Sequence, residues 1–273
     1  MKKNFLLITL IIISVNIEAN KPPPEIPPGT VRVGENIYFD TGEIRNHDYR
    51  EYLYWLRIFQ DDTDKYYSAL PDTTVWQTSD TSLNPLVLLY LRHPDFQLYP
   101  VVGVSYRQAV EYCNWRSDRV NELKYMKDND IRHYYPIDME IVTEVYKYRL
   151  PSKKEWEQVA NVGYSKKTER KMNRRKYINQ NRHNFASQPH TYELENSEKY
   201  YSIDITAPAK SHFPNELGIY NLFGNVAEMV AEEGIAKGGS FIHNAEDVDV
   251  EKDFFYDAPV KWLGFRCVCE ISQ

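Results

Sequence analysis

The sequence predicts an α+β domain with much irregular structure, on three observations. Three segments carry helical periodicity behind N-terminal caps, the stretches between them are too long for ordinary loops, and the final apolar run, Trp262 to Ile271, alternates as a closing strand does. A doubly wound sheet would instead show strands and helices in regular succession. Hydrophobic residues make up 42% of the 273-residue chain, enough for a real core. Tyrosine, at 22 residues, is twice as frequent as phenylalanine, and its amphipathic ring suits surfaces and interfaces as well as cores.

Residues 1–19 read as an export signal. Lys2-Lys3 precede an apolar run from Phe5 to Val15, and Ile17-Glu18-Ala19 ends it on a small residue. The run is short for a bilayer span, so no transmembrane segment is expected after cleavage and the protein is expected to be periplasmic or secreted. No cysteine lies near this boundary to take a lipid. Cleavage would remove Lys2, Lys3 and Glu18, moving the formal charge from −6 to −7. An acidic protein of this kind has no global attraction for nucleic acid. Residues 20–29, containing Lys21-Pro22-Pro23-Pro24-Glu25-Ile26-Pro27-Pro28, form a stiff polyproline spacer. No repeat and no second shift of composition follows, so 30–273 is one domain.

The first helix starts at Asn46 as its cap and carries Tyr49, Tyr52, Leu53 and Leu56 at helical spacing. The second opens on the capping box Ser105 and Gln108, with Ala109, Val110, Cys113 and Val120 as its apolar face. The third opens on the capping box Ser152 and Glu155 and turns Trp156, Val159 and Ala160 inward.

Short motifs follow one another in order. They are Tyr99-Pro100-Val101-Val102-Gly103-Val104-Ser105, Tyr112-Cys113-Asn114-Trp115, Tyr148-Arg149-Leu150-Pro151-Ser152 with Glu155-Trp156-Glu157, and Thr206-Ala207-Pro208. Then come Gly218-Ile219-Tyr220-Asn221-Leu222-Phe223-Gly224-Asn225-Val226-Ala227-Glu228, Lys237-Gly238-Gly239-Ser240-Phe241-Ile242-His243-Asn244 and Leu263-Gly264-Phe265-Arg266-Cys267. Each piece alone is weak, but in this order they resemble the formylglycine-generating enzyme (sulfatase-modifying factor) domain. The resemblance implies a C-type-lectin-like α+β fold. In that enzyme two redox cysteines follow the Gly-Gly-Ser motif; here those positions read His243 and Val248, beside Ser240. Leu70-Pro71-Asp72-Thr73-Thr74-Val75-Trp76, Arg92-His93-Pro94 and Trp115-Arg116-Ser117-Asp118-Arg119-Val120-Asn121 are similar to the gliding-motility lipoproteins J and K of type IX secretion.

The chain holds three cysteines, Cys113, Cys267 and Cys269. Cys267 and Cys269 fall on the same face of one strand, a poor geometry for bonding each other. The resemblance implies a disulfide between Cys113 and Cys267, with Cys269 left over; three buried free thiols are the alternative. Gly224-Asn225-Val226-Ala227-Glu228 is similar to a family segment that helps hold structural calcium, which implies Asn225 and Glu228 as ligands. Both tryptophans of that family segment are replaced here, by Ala227 and Met229. Copper chemistry would need two neighbouring thiolates, whereas Ile242 to Val248 offers only His243, Glu246 and Asp247, more simply read as a solvated acidic loop. Lys166 to His183 holds eight Lys and Arg residues against Glu169, a solvated segment or a docking surface for an acidic partner or anionic lipid head groups. No nucleophile motif, zinc spacing or phosphate loop is present.

The expected function is a non-catalytic envelope protein acting through protein partners, with contacts from 60–95, 120–148 and 165–200. Two alternatives stand beside it. One is an oxidoreductase of the same superfamily with altered chemistry, and the other is a C-type-lectin-like ligand-binding protein.

Overall fold

The computed structural model describes residues 25–59, 62–77, 85–132, 137–176, 182–186, 191–192, 201–202 and 205–272. The expected export signal lies outside the described residues, as do parts of the expected contact segments 60–95, 120–148 and 165–200. Among the described residues, two four-stranded sheets and a two-stranded ribbon are surrounded by six α-helices and long irregular connections, the α+β architecture expected.

The first sheet is antiparallel, in the order β1 (Thr30–Arg32), β2 (Ile37–Asp40), β10 (Val268–Ile271), β3 (Tyr146–Arg149). Its strands alternate between two cores. Tyr38, Cys269 and Ile271 face one, together with Cys267 just before β10, while Phe39 and Val268 face the other. Helix α4 (Tyr106–Asp128) covers the first face, and α5 (Lys153–Ala160) covers the second through Trp156, Val159 and Ala160.

Strand β3 is an edge, and its outward backbone groups need partners other than a strand. Helix α4 supplies them. Ser117 Oγ accepts from Tyr148 N at 2.8 Å, and Asn121 Oδ1 accepts from Val145 N and Tyr146 N at 2.8 and 2.9 Å. Asn121 Nδ2 returns a bond to Tyr146 O at 2.8 Å. The buried face of α4 is therefore part polar, where an apolar stripe was expected; Val110 and Val120 are only half-buried.

Both predicted capping boxes are present, at Ser105 and Ser152. Helix α1 (Asn46–Ile58) differs by one residue. Arg45 is its cap, with Asp48 accepting both its backbone N–H at 3.1 Å and its guanidinium, and Asn46 is its first helical residue. Asn46 is fully buried, and its Nδ2 donates to Tyr90 O and Phe96 O at 2.9 and 3.0 Å. Its side chain serves a distant loop and is not available for capping. The stretch 60–95 is partly helical, with α2 (Thr63–Ala69), a 3-10 turn at Thr73–Trp76 and α3 (Pro85–Leu89).

The second sheet runs β8 (Phe254–Phe255), β7 (Ile235–Lys237), β6 (Ala227–Met229), β9 (Leu263–Gly264), with β6 and β9 parallel. The run from Trp262 to Ile271 is thus two strands in two sheets, not one closing strand. The crossing, Phe265-Arg266-Cys267, ties onto the segment after β2: Ile44 N donates to Phe265 O at 2.9 Å and Asp40 N to Cys267 O at 3.0 Å. The ribbon pairs β4 (Thr191–Tyr192) with β5 (Tyr201–Ser202).

The end of the proline-rich spacer lies against the domain. Pro27 is buried, Glu25 is paired with Lys127, and the Pro28 carbonyl accepts from Arg116 Nη2 at 2.9 Å. The basic stretch begins as helix α6 (Lys166–Met172), exposed except at Met172 and half-buried Thr168. No described helix is long and apolar enough to cross a membrane.

Candidate functional site

Strand β7 ends at Lys237 and leads straight into Gly238 and Gly239, both in the left-handed region at φ 86° and 65°. Neither position has room for a side chain. A Cβ on Gly238 would lie 2.3 Å from the Leu222 carbonyl oxygen, and one on Gly239 would lie 2.5 Å from Val248 Cγ2. The loop is pinned by Gly224 N to Gly238 O at 2.9 Å and Phe241 N to Asn225 O at 3.0 Å. Lys237, wholly buried, anchors its base through Glu157 and Asp253 at 2.9 and 3.0 Å.

Ser240, His243 and Val248 come together around this turn. Ser240 is fully buried, and its Oγ lies 2.7 Å from His243 Nδ1. The His243 ring packs against Phe254 and Trp262, with centroids 4.4 and 5.3 Å away. Burial pulls its pKa below the usual histidine value, with Asp247 opposing. Val248 sits directly over Gly239. The side chains at the two positions picked out by the resemblance, both half-buried, thus make apolar and ring contacts, and the hydroxyl beside them is shut off from solvent. Among the described residues no three His, Cys, Asp or Glu side chains converge as a metal site, so His243, Glu246 and Asp247 do not form one.

Asn225 and Glu228, the expected calcium ligands, belong to a buried polar network. The Glu228 carboxylate accepts Trp156 Nε1 and Arg266 Nε, each at 2.7 Å, and also pairs with Arg266 Nη2. Both side chains of that ion pair are fully buried. Arg266 also donates to the backbone oxygens of Asp40 and Tyr220, at 3.2 and 2.9 Å. Asn225 Oδ1 accepts from Ala207 N at 2.6 Å and Asn184 Nδ2 at 3.3 Å, while its Nδ2 donates to Glu43 Oε1 at 2.8 Å and Ala207 O at 3.1 Å. Calcium needs several oxygens turned toward one point. Here both Glu228 oxygens are taken by a guanidinium and an indole N–H, so the pair fits an internal ion-pair network and does not fit a calcium site.

Behind Asn225 lies Glu43, 3% exposed. Burial pushes its pKa up to about 8; the Arg266 charge opposes this and the Glu228 charge adds to it. Asp40 holds Arg116 bidentately at 2.7 and 2.9 Å and accepts the Cys267 N–H at 2.8 Å. Sequence reasoning missed Glu43 and Asp40, and named Lys237 only as part of its motif, without its role. Each is a single charge in an ordinary local context, and only its burial marks it.

Cys113, on α4, and Cys267, before β10, bring their sulfurs to 3.4 Å as buried thiols. Burial raises the Cys267 pKa well above the ordinary thiol value, with the Cys113 contact adding to it. Burial likewise pushes Cys269 up to about 12. A thiol held neutral is a poor nucleophile and a poor soft-metal ligand.

A family model described as the sulfatase-modifying factor enzyme 1-like domain matches residues 14–271. The chain is 27% identical over 190 residues to a protein named chaperone protein LppX, from Paenibacillus barcinonensis. That match covers 58% of this chain and 65% of the relative, so the chain spans less than two thirds of the relative's length. Among solved structures, CarF aligns at TM-score 0.44 and 18% identity, covering 89% of this chain and 96% of that one. Treponema denticola variable protein 1 aligns at TM-score 0.46 and 15% identity, covering 90% and 92%.

Proposed function

The chain belongs to the sulfatase-modifying factor enzyme 1-like domain family, and on that premise we propose that it is a non-catalytic member that binds other proteins in the bacterial envelope. We take it to be an exported structural or interaction component related to gliding motility and type IX secretion. One observation carries the reading: the turn after Gly238-Gly239-Ser240 is plugged. In this reading His243 and Val248 stand where the family's redox cysteines stand, and both are packed in place. The three cysteines of the chain are buried elsewhere, far from offering the exposed thiolate pair that Cu(I) favours.

The motif resemblance over 70–76, 92–94 and 115–121 supports the link to the secretion lipoproteins. The chaperone name of the Paenibacillus relative supports a protein-binding role. In the same reading residues 1–19 direct export, and in an oxidising compartment Cys113 and Cys267 close into a structural disulfide. The test is affinity purification of the full-length protein from native envelopes after cross-linking, run beside oxygen-uptake and metal analysis of the purified chain. Co-purifying secretion-machinery components with no redox metal are expected. Stoichiometric copper or iron, with oxygen uptake that depends on His243, would establish the altered-enzyme reading instead.

A further inference from the structure

Between Lys166 and Lys176 the chain sets seven Lys and Arg residues against the single acid Glu169, and all seven are exposed. Helix α6 fixes how they are presented. Ser165 caps it by accepting from Thr168 N at 3.2 Å. Met172, 5% exposed, is its inward anchor, one turn beyond half-buried Thr168. Lys166 and Arg170, and beside them Lys167 and Lys171, repeat at the same four-residue spacing on the exposed side. Arg174, Arg175 and Lys176 follow in the turn after the helix.

Exposed cations on other helices take acidic partners: Lys65 pairs with Asp62, Arg107 with Glu111 and Lys127 with Glu25. Among the described residues Lys166, Lys167, Arg170, Arg174 and Arg175 take none. The charge of the whole chain is divided to match. Of its 33 Lys and Arg residues seven lie in this stretch with one of its 39 acids, leaving 26 cations against 38 acids elsewhere. Screening acts over about 8 Å at physiological salt. A surface that meets α6 therefore feels the cluster and little of the acidic remainder, and the asymmetry turns the cluster toward any broad negative surface.

What accompanies the charges identifies that surface. A protein interface is built on buried aromatic or arginine anchors, and lysine is depleted from it. Here four of the seven cations are lysines, and among the described residues no large apolar side chain between 142 and 241 is exposed. Met172, the one apolar side chain of α6, is spent on the domain. A bilayer with anionic head groups needs no such anchor, because clusters of about four to eight Lys and Arg hold to it by charge alone. We propose that α6 and the turn after it dock the protein, reversibly and through charge, on the surface of an anionic phospholipid bilayer. This contact goes beyond the protein-binding role and does not depend on it.

The probe is a phosphatidylcholine vesicle containing about one third phosphatidylglycerol, sedimented with the purified full chain beside vesicles of phosphatidylcholine alone. Tighter binding to the anionic vesicles is expected at about 0.1 M salt, and the difference should vanish at about 1 M, where the screening length drops to about 3 Å. Each cation near such a surface is worth about fivefold in affinity, so Lys166→Gln, Lys167→Gln, Arg170→Gln and Arg174→Gln together should weaken binding at least about hundredfold. Arg57→Gln, Lys147→Gln, Lys210→Gln and Lys252→Gln together remove the same charge from exposed positions elsewhere and should cost no more than about fivefold. The apolar run from Phe5 to Val15 is common to all three proteins and cancels in the comparison. Equal binding to both vesicle types, binding that survives the four α6 substitutions, or an equal loss in the control variant would overturn the proposal. So would tighter binding to polyglutamate of matched charge, the mark of an acidic protein partner. The salt and vesicle comparisons use the wild-type chain, so they decide the matter even if a variant fails to fold.

Discussion

Replacing Glu43 by glutamine should flatten the pH dependence of stability and reverse the order of the two proteins between mildly acidic and mildly alkaline conditions. The carboxyl is 3% exposed and accepts from Asn225 Nδ2 at 2.8 Å and Asn221 Nδ2 at 3.3 Å. Burial raises its pKa from the ordinary 4.5 to about 8. Between those two values the folded protein keeps a proton that the unfolded chain has released. The stabilisation is therefore complete below the unfolded value and is lost as pH rises through the folded one. Each pH unit in that window is worth about 1.4 kcal/mol, so the wild-type protein should lose on the order of 4 kcal/mol from this group by about pH 8. Glutamine has the shape of the protonated acid and does not titrate. It gives up the long bond from Asn221, worth about 1 kcal/mol. The variant should then be slightly less stable at about pH 5 and more stable at about pH 8. Urea unfolding followed by tryptophan fluorescence across that range measures both curves, and all other titrating groups cancel in their difference. Parallel curves that never cross would refute the assignment of a buried, protonated Glu43.

His183 works in the opposite direction: burial holds its pKa near 4, so stability present above the ordinary value of 6.5 is lost as pH falls toward the folded one. Its ring protons should show no titration near neutrality by NMR, and His183→Phe should flatten the acid limb of the stability curve. Trp156→Phe removes the indole N–H from the buried Glu228 carboxylate and should cost about 1.5–3 kcal/mol in urea unfolding. Gly238→Ala forces a Cβ to 2.3 Å from the Leu222 carbonyl at φ 86° and should cost upward of about 2 kcal/mol. Gly163→Ala, where a Cβ meets nothing within 4 Å, should change stability by less than about 0.5 kcal/mol. Oxidised protein should show a Cys113–Cys267 peptide by mass spectrometry. It should be more stable than the reduced form by about 4–5 kcal/mol on the chain-entropy account, given the 154 positions between the two cysteines; a Cys267–Cys269 peptide would defeat that expectation.

The features legible in the sequence are the ones whose physics is local. The capping boxes at Ser105–Gln108 and Ser152–Glu155 close over three residues, and Trp156, Val159 and Ala160 show their shared face by spacing alone. The ordered motifs carried the family, while capped helices and long connections carried the α+β class. Where a residue acts at long range, its local reading misleads. Asn46 looks like a cap, yet its amide is spent on carbonyls 44 and 50 residues away. Ser117 and Asn121 look like breaks in an apolar stripe, yet they satisfy the edge of β3.

By itself, then, the sequence determined the family, the starts of α4 and α5 and the lack of cysteines at positions 243 and 248 beyond Gly238-Gly239-Ser240. Tertiary structure decided what stands in their place. Val248 closes over Gly239, His243 packs against Phe254 and Trp262, and Glu228 is committed to Arg266 and Trp156. The reason is that a side chain's chemistry depends on which groups surround it and how much water is excluded. Glu43 meets Asn225 across 182 positions, and burial, which sets its protonation, exists only once the chain has closed on itself.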